Sequence, residues 1–193
     1  MRAVRSVSLL LEAWMTDRLA KFRALPESEG RVLLIINAFS GTVDKPRILE
    51  GRLKLAKLDF MVRYPKYLRR VLRDRKVSER VLATIDEEAA PLQDRMIRYR
   101  YGPWDPSYYA VLGGLIGRGL IEPIPFRQGI GYRVTDRGRQ LVAGLLEDDS
   151  WASVQRRAAA TKTHLDLTGT TLKNLLYEAI PEMTNADWHS EVR

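Results

Sequence analysis

The side chains that most often carry catalysis or hold metal ions are scarce in this sequence. Cysteine is absent, and the two histidines, His164 and His189, have no second ligand three or four residues away. Thiolate chemistry and a disulfide framework are therefore excluded, and too few soft ligands remain for a structural zinc site. Each histidine is better explained as a surface or hydrogen-bonded side chain. The lack of cysteine also fits a reducing, cytoplasmic setting.

Carboxylates could bind a metal in two acidic runs, at residues 86–88 and 147–149. Consecutive acids point in different directions on a helix, so solvated charge is the better interpretation of both runs. Asp59 lies among apolar residues with Arg63 one helical turn away, which favours a structural ion pair over a nuclease carboxylate. The sequence contains neither a P-loop nor a Gly-x-Ser-x-Gly elbow. We therefore predict no catalytic residue, no cofactor and no metal.

Basic residues carry the other chemistry that the sequence offers, which is contact with phosphate. The chain has a net charge of +8 and a pI of about 9.9. Eight cations fall between residues 63 and 80, against two acids, with Leu68, Val71 and Leu72 at helical spacing. A helix over residues 66–76 with a basic outer face would suit a DNA backbone, although a merely solvated face remains the alternative. The candidate DNA-binding residues are Lys66, Arg69, Arg70, Arg73, Arg75, Lys76, Arg98, Arg100, Arg118 and Arg127.

Helices and a wing must position these residues. Apolar spacing predicts an N-terminal helical extension over 1–27, a helix over 29–39 capped by Ser28, and a second helix over 48–63. The alternation of apolar and basic side chains predicts a strand over 96–101. Asp105 should cap a helix that ends at Gly119. Two strands, 120–124 and 130–134, precede a helix capped by Thr135. Further helices follow near 151–160 and 172–180. No apolar run is long enough to cross a bilayer, so no membrane partner is expected.

The order of these elements is that of a winged helix-turn-helix. Its most specific stretch runs from Leu115 through Gly119-Leu120-Ile121 to Tyr132-Arg133-Val134-Thr135. The glycine lets the chain reverse into the wing, the apolar pair anchors the strand, and the threonine starts the next helix. We predict a mainly α fold with a small, three-stranded antiparallel sheet. The winged domain spans 28–147, and a C-terminal helical extension spans 148–193.

The third helix of this domain lacks the side chains that usually contact base edges. Its outer face should present Ser107, Ala110, Gly113, Gly114 and Gly117, with only Arg118 able to make a bidentate contact with a base. Adjacent mid-helix glycines cost about 1 kcal/mol each relative to alanine. They indicate the close approach of another backbone, either within this chain or on a partner. The candidate partner-binding residues are Gly113, Gly114, Trp151, Leu172, Leu175 and Leu176.

Two stretches resemble the middle component of bacterial ABC-three-component systems. One is Gly51-Arg52-Leu53-Lys54-Leu55-Ala56-Lys57-Leu58-Asp59-Phe60, followed by Arg63-Tyr64-Pro65, and the other is Met96-Ile97-Arg98-Tyr99-Arg100-Tyr101-Gly102-Pro103-Trp104-Asp105. The resemblance covers roughly residues 28–146, and Lamassu-type anti-phage systems include an accessory subunit of this kind. It implies a non-catalytic subunit beside an SMC-like ATPase and an effector, often a nuclease. It assigns no functional residue.

Two functions from different classes therefore remain open at this stage. The first is an accessory subunit of an SMC-like ATPase complex in prokaryotic defence, which docks on a protein and contacts DNA without reading its sequence. The second is a stand-alone winged-helix transcription regulator. The winged-helix fold serves DNA, RNA and protein binding alike, so the fold alone does not choose between them. Stoichiometry, the identity of the effector and the activating signal do not follow from the sequence.

Overall fold

The computed structural model describes residues 25–85, 97–99, 102–127 and 129–181. These residues form a mainly helical fold with small antiparallel hairpins, as the sequence predicts. The predicted extension over 1–27 falls almost wholly outside the described residues. The helices are α1 (Pro26–Phe39), α2 (Arg52–Arg63), α3 (Pro65–Asp74), α4 (Glu79–Leu82), α5 (Tyr108–Gly117), α6 (Asp136–Leu145), α7 (Ala152–Leu165) and α8 (Gly169–Ala179). The strands are β1 (Ile97–Tyr99), β2 (Gly102–Trp104), β3 (Ile121–Phe126) and β4 (Gly129–Val134).

The winged-helix arrangement is built by α1, α2 and α5 with the wing hairpin β3–β4, in which Ile121 pairs with Val134. The prediction of a third wing strand at 96–101 is wrong, because β1 pairs with β2 in a separate hairpin. Leu49 instead borders the wing through a single bridge to Tyr132, with N–H···O distances of 2.9 and 3.0 Å in the two directions. Gly51, at φ +83°, turns the chain into α2 directly afterwards, so the pairing with the wing cannot extend beyond this single bridge.

Local start and stop signals are confirmed at two positions and wrong at two others. The Thr135 hydroxyl accepts the N–H of Gly138 at 3.1 Å, and Gly119 ends α5 at φ +66°. Ser28 does not cap α1, because the helix begins two residues earlier and buries Ser28 in its first turn. Asp105 does not cap α5, which begins at Tyr108; its carboxylate accepts from the Ser107 N–H at 2.8 Å.

The C-terminal helices share the core of the winged domain. Helix α7 packs against α1, α2 and α3, and α8 packs against α2 and α3. Their apolar side chains belong to the same buried cluster as Leu33 and Leu58, and Leu172 is 0% exposed. Residues 152–179 therefore complete this core, although the sequence pattern predicts a separate C-terminal extension here. Among the described residues, no helix has the length and hydropathy that crossing a membrane requires.

Candidate docking and phosphate-contact surfaces

The outer face of α5 is apolar and contains no base-reading side chain. Tyr109 is 59% exposed, and Ile116, two helical turns further along the same face, is also exposed. Beyond its own helix, a Cβ added at Gly113 or at Gly117 would meet no atom of the described residues within 4 Å, so both glycines border open space there. The prediction that Ser107 lies on this outer face is wrong, because Ser107 precedes the helix and is buried. We call Tyr109, Gly113, Ile116 and Gly117 the α5 surface.

Gly114 has a different environment from Gly113. A Cβ at Gly114 would lie 2.6 Å from Oε1 of Glu29, and this same oxygen pairs with Nη2 of Arg118 at 2.6 Å. The ion pair joins the end of α5 to the first turn of α1. For Gly114, close packing within this chain therefore explains the glycine, and a partner is not needed. The candidate DNA contact at Arg118 is likewise engaged by Glu29.

Aromatic side chains extend the α5 surface beyond the helix itself. The Arg52 guanidinium lies 4.7 Å from the centre of the Tyr109 ring, and the Trp104 ring meets Tyr109 edge-on at 5.9 Å. Sequence reasoning missed this grouping, because the three residues come from α2, β2 and α5. An arginine stacked on an exposed tyrosine is a combination typical of protein interfaces.

The predicted basic helix exists, as α3, and it is amphipathic in the expected sense. Leu68, Val71 and Leu72 are fully buried, whereas the basic side chains point outward. Arg69 is an exception, since it is half-buried and its Nη1 donates to the carbonyl of Ile85 at 3.2 Å. The exposed cations form what we call the basic surface: Lys66, Arg70, Arg73, Arg75 and Lys76.

Arg127, another candidate DNA contact, lies on the wing and not on α3. Arg127 is exposed at the end of β3, with its guanidinium 5.0 Å from the Phe126 ring. The side chains of Arg98 and Arg100 lie outside the described residues. Helix α3 packs mainly on α2, α7 and α8, whereas the wing packs on α5, α1 and α6. The wing arginine and the α3 cations therefore lie on elements that pack on different parts of the shared core.

Most of the candidate partner-binding side chains in the C-terminal part are used inside the chain. Leu172 and Leu176 are buried in the core, and Leu175 packs against it while partly exposed. The Trp151 ring covers Gly30 so closely that a Cβ there would lie 2.4 Å from it. Because the intramolecular core already covers these side chains, they do not form a free partner surface, and that interpretation of them is corrected.

Asp59 forms a buried ion-pair network, as expected for a structural carboxylate. Its Oδ1 accepts from Nε of Arg31 at 2.8 Å, and its Oδ2 accepts from Nε of Arg63 at 2.8 Å and from the Tyr108 hydroxyl at 2.6 Å. Burial alone would raise the pKa of Asp59, but the two arginine charges and the tyrosine hydrogen bond outweigh it and hold that pKa below 3.8. Arg63 also reaches Oδ2 of Asp105 at 2.7 Å. The network fixes α1, α2 and α5 relative to one another.

A second group of charges, which the sequence did not reveal, lies where α2, α7 and α8 meet. The Asp166 carboxylate accepts from Nζ of Lys54 at 2.9 Å and from Nζ of Lys162 at 2.5 Å, with Nη1 of Arg47 3.7 Å away. Lys57 follows Lys54 by one helical turn and is only 3% exposed. We call Arg47, Lys54, Lys162 and Asp166 the lysine junction.

The amine of Lys57 is held in an unusual environment. Its Nζ donates to the carbonyl of Leu53, on its own helix, at 3.0 Å. Burial, and secondarily the charge of Lys173, lower the pKa of Lys57 from 10.5 to about 8. No hallmark of a metal site accompanies these charges, since no cluster of three His, Cys, Asp or Glu side chains occurs in the part of the chain that the structure describes.

Comparisons of this chain with protein-family models, with curated proteins and with solved structures find no match.

Proposed function

We propose that this protein is a non-catalytic winged-helix subunit that docks on a partner protein through the α5 surface and contacts nucleic-acid phosphates through the basic surface. The observation that carries the proposal is the composition of α5, the helix that would enter a DNA groove. It exposes tyrosine, isoleucine and glycines and offers no side chain for bidentate base contacts. A winged helix of this kind suits a protein partner better than an operator sequence.

The apolar character of the α5 surface supports docking. Interface cores are enriched in aromatic residues and arginine, and an exposed glycine lets a partner backbone come close. Tyr109 with Arg52 provides the aromatic and cationic component, and Gly113 provides the close approach. The Glu29–Arg118 ion pair, at 2.6 Å, holds one end of the helix in place.

The α3 cations support contact with a phosphate backbone. Arginine and lysine neutralise phosphates wherever the backbone passes, and such contacts position a protein without reading sequence. The buried apolar face of α3 fixes the helix on the core, so its cations are presented on a rigid element. Binding through this surface should weaken steeply with salt and differ little between unrelated duplexes.

The resemblance described above gives the proposal its biological setting. We place the subunit in a cytoplasmic, prokaryotic anti-phage complex of the Lamassu type, beside an SMC-like ATPase and an effector such as a nuclease. Docking on the ATPase or the effector, together with sequence-independent DNA contact, would let this chain link the complex to DNA. A catalytic role for the chain itself is not part of the proposal.

The docking half of the proposal is tested by purification from the native host. Gly113→Arg should abolish the association with the partner chains and leave the isolated subunit folded. Gly144→Arg is the matched control, because Gly144 is also a helical glycine that faces open space. An SMC-type ATPase among the co-purifying chains supports the proposed complex. A complex that survives Gly113→Arg intact shows that the α5 surface is not the interface.

The phosphate half is tested by fluorescence anisotropy with three duplexes of unrelated sequence over a range of salt. Arg70→Glu with Arg73→Glu should weaken binding to all three alike, and each phosphate contact removed should lower the salt slope by about 0.9. The matched control reverses two exposed cations elsewhere, Lys45 and Arg137. A tight preference for one duplex that persists at high salt would instead support a transcription regulator.

A further inference from the structure

Arg52 is an exposed cation at the margin of the α5 surface, and no acidic side chain among the described residues pairs with it. Its guanidinium lies 4.7 Å from the centre of the Tyr109 ring, which orients it on the surface. Arg118, the exposed cation at the other end of α5, is already paired with Glu29 at 2.6 Å. Arg52 therefore keeps a positive charge that the described residues do not balance.

Exposed apolar side chains of two elements accompany Arg52. Tyr109 and Ile116 are exposed on α5, and Ile130 of the wing is 53% exposed. The wing adjoins the start of α2 at Gly51, where a Cβ would lie 3.8 Å from the Ile130 carbonyl oxygen. A cation set among exposed apolar groups suits a binding segment that carries a negative charge among apolar side chains.

The place of Arg52 in its helix also favours an incoming negative charge. Arg52 is the first residue of α2, and the first turn of this helix contains no acidic residue. The helix dipole disfavours a cation at that end, so the stability of α2 does not account for the arginine. A contact with a group outside the chain would account for it.

We propose that Arg52 binds an acidic side chain of the docking partner, carried on an apolar segment that packs on Tyr109 and Ile116. A guanidinium presents a planar fork of donors that matches a carboxylate, and tyrosine and arginine often dominate the binding energy of an interface. The inference rests on the proposed docking role of the α5 surface and adds the chemistry of the partner.

Charge and hydropathy favour this occupant over two others. A second copy of this chain would bring another net charge of +8 to the surface, whereas an acidic partner complements it. A nucleic-acid backbone would satisfy Arg52, but its phosphates would leave the exposed Tyr109 and Ile116 without an apolar group to cover them. A protein segment supplies both the carboxylate and the apolar cover.

The complex purified from the native host provides the test. Arg52→Glu should raise the dissociation constant between this chain and its purified partner chain by about tenfold or more, because repulsion replaces a charge-assisted pair. The variant should fold, since the helix dipole favours glutamate in a first turn. Arg137→Glu is the matched control, because Arg137 is also an exposed arginine in the first turn of a helix, and it should leave the constant unchanged.

Arg52→Lys allows the contact to be identified directly. Carbodiimide couples a lysine amine to a carboxylate that touches it, and mass spectrometry then identifies the two linked residues. A link from position 52 to an aspartate or glutamate of the partner chain supports the inference, and Arg137→Lys is the control that should give no such link. Binding of duplex DNA, measured by fluorescence anisotropy, should be the same for Arg52→Glu and the wild type.

The outcomes distinguish this inference from the proposed function. A complex that Gly113→Arg abolishes and Arg52→Glu leaves intact supports the docking role but overturns the acidic contact. A link to another copy of this chain overturns the inference, as does a loss of duplex binding by Arg52→Glu while the complex is unaffected. If neither variant affects the complex, or if no partner chain co-purifies, the docking role and the inference fail together.

Discussion

Replacing Lys57 by methionine should stabilise the isolated protein near neutral pH. Lys57 is 3% exposed, and burial lowers its pKa from 10.5 to about 8, so the folded state holds its proton less tightly than the unfolded chain does. Each unit of pKa corresponds to about 1.4 kcal/mol, which gives an upper limit of about 3.5 kcal/mol for the cost of keeping this amine charged when folded. Methionine fills the same space without a charge to desolvate.

The stabilisation should depend on pH in a definite direction. Below pH 8 the amine is protonated in both states, and the folded state carries the whole cost. Between pH 8 and 10.5 the unfolded chain binds more protons than the folded one, so the stability of the wild type rises with pH. The methionine variant lacks this site. Its advantage should therefore be greatest below pH 8 and disappear as the pH approaches 10.5.

Urea unfolding measured between pH 6.5 and 10 tests this, with the difference between variant and wild type as the quantity compared. We expect methionine to add roughly 1–3 kcal/mol at neutral pH, since the loss of the hydrogen bond to the Leu53 carbonyl offsets part of the gain. Other lysines titrate in both proteins and cancel. A variant that is less stable than the wild type at every pH, or a difference that does not vary with pH, would refute the argument.

Three further outcomes follow from the buried contacts, each checked by chemical unfolding. Gly138→Ala should destabilise by about 1–3 kcal/mol, because its Cβ would lie 2.0 Å from the Leu120 carbonyl oxygen. Gly144→Ala, on the same helix but facing open space, should stabilise by up to about 1 kcal/mol. Asp59→Asn should cost about 3–5 kcal/mol, since it leaves two buried arginines with a neutral partner. The wild type should lose stability as the pH falls through the lowered pKa of Asp59, and the asparagine variant should lack that part of the acid dependence.

The winged-helix architecture could be predicted because its signals are local. Gly119 at positive φ and the Thr135 cap both act within a few residues, and each was recognised from residue type and position. The third member of the wing sheet could not be predicted, since Leu49 contributes one bridge and leaves no alternating pattern. The strand at 96–101 carried that pattern, but pattern alone does not choose a pairing partner, and β1 pairs with β2.

The candidate surfaces were only partly predictable, for a different reason. The basic face of α3 follows from helical spacing within one segment, and the structure confirms the amphipathic helix. The lysine junction combines a loop, α2 and the end of α7, with Lys54 and Asp166 more than a hundred residues apart, so no window of sequence contains it. Equally, sequence spacing could not tell that Leu172 packs inward, because an apolar stripe is the same whether the chain or a partner covers it.

Positions at which a chain forgoes stability are informative when its own packing does not explain them. Gly30, Gly114 and Gly138 are explained, since each is filled by a neighbour that a Cβ would strike. Gly113 is not, because it weakens α5 by about 1 kcal/mol relative to alanine while facing open space. Gly144 faces open space too and serves as the control, so open space alone does not mark an interface; the exposed Tyr109 and Ile116 beside Gly113 are what single out the α5 surface.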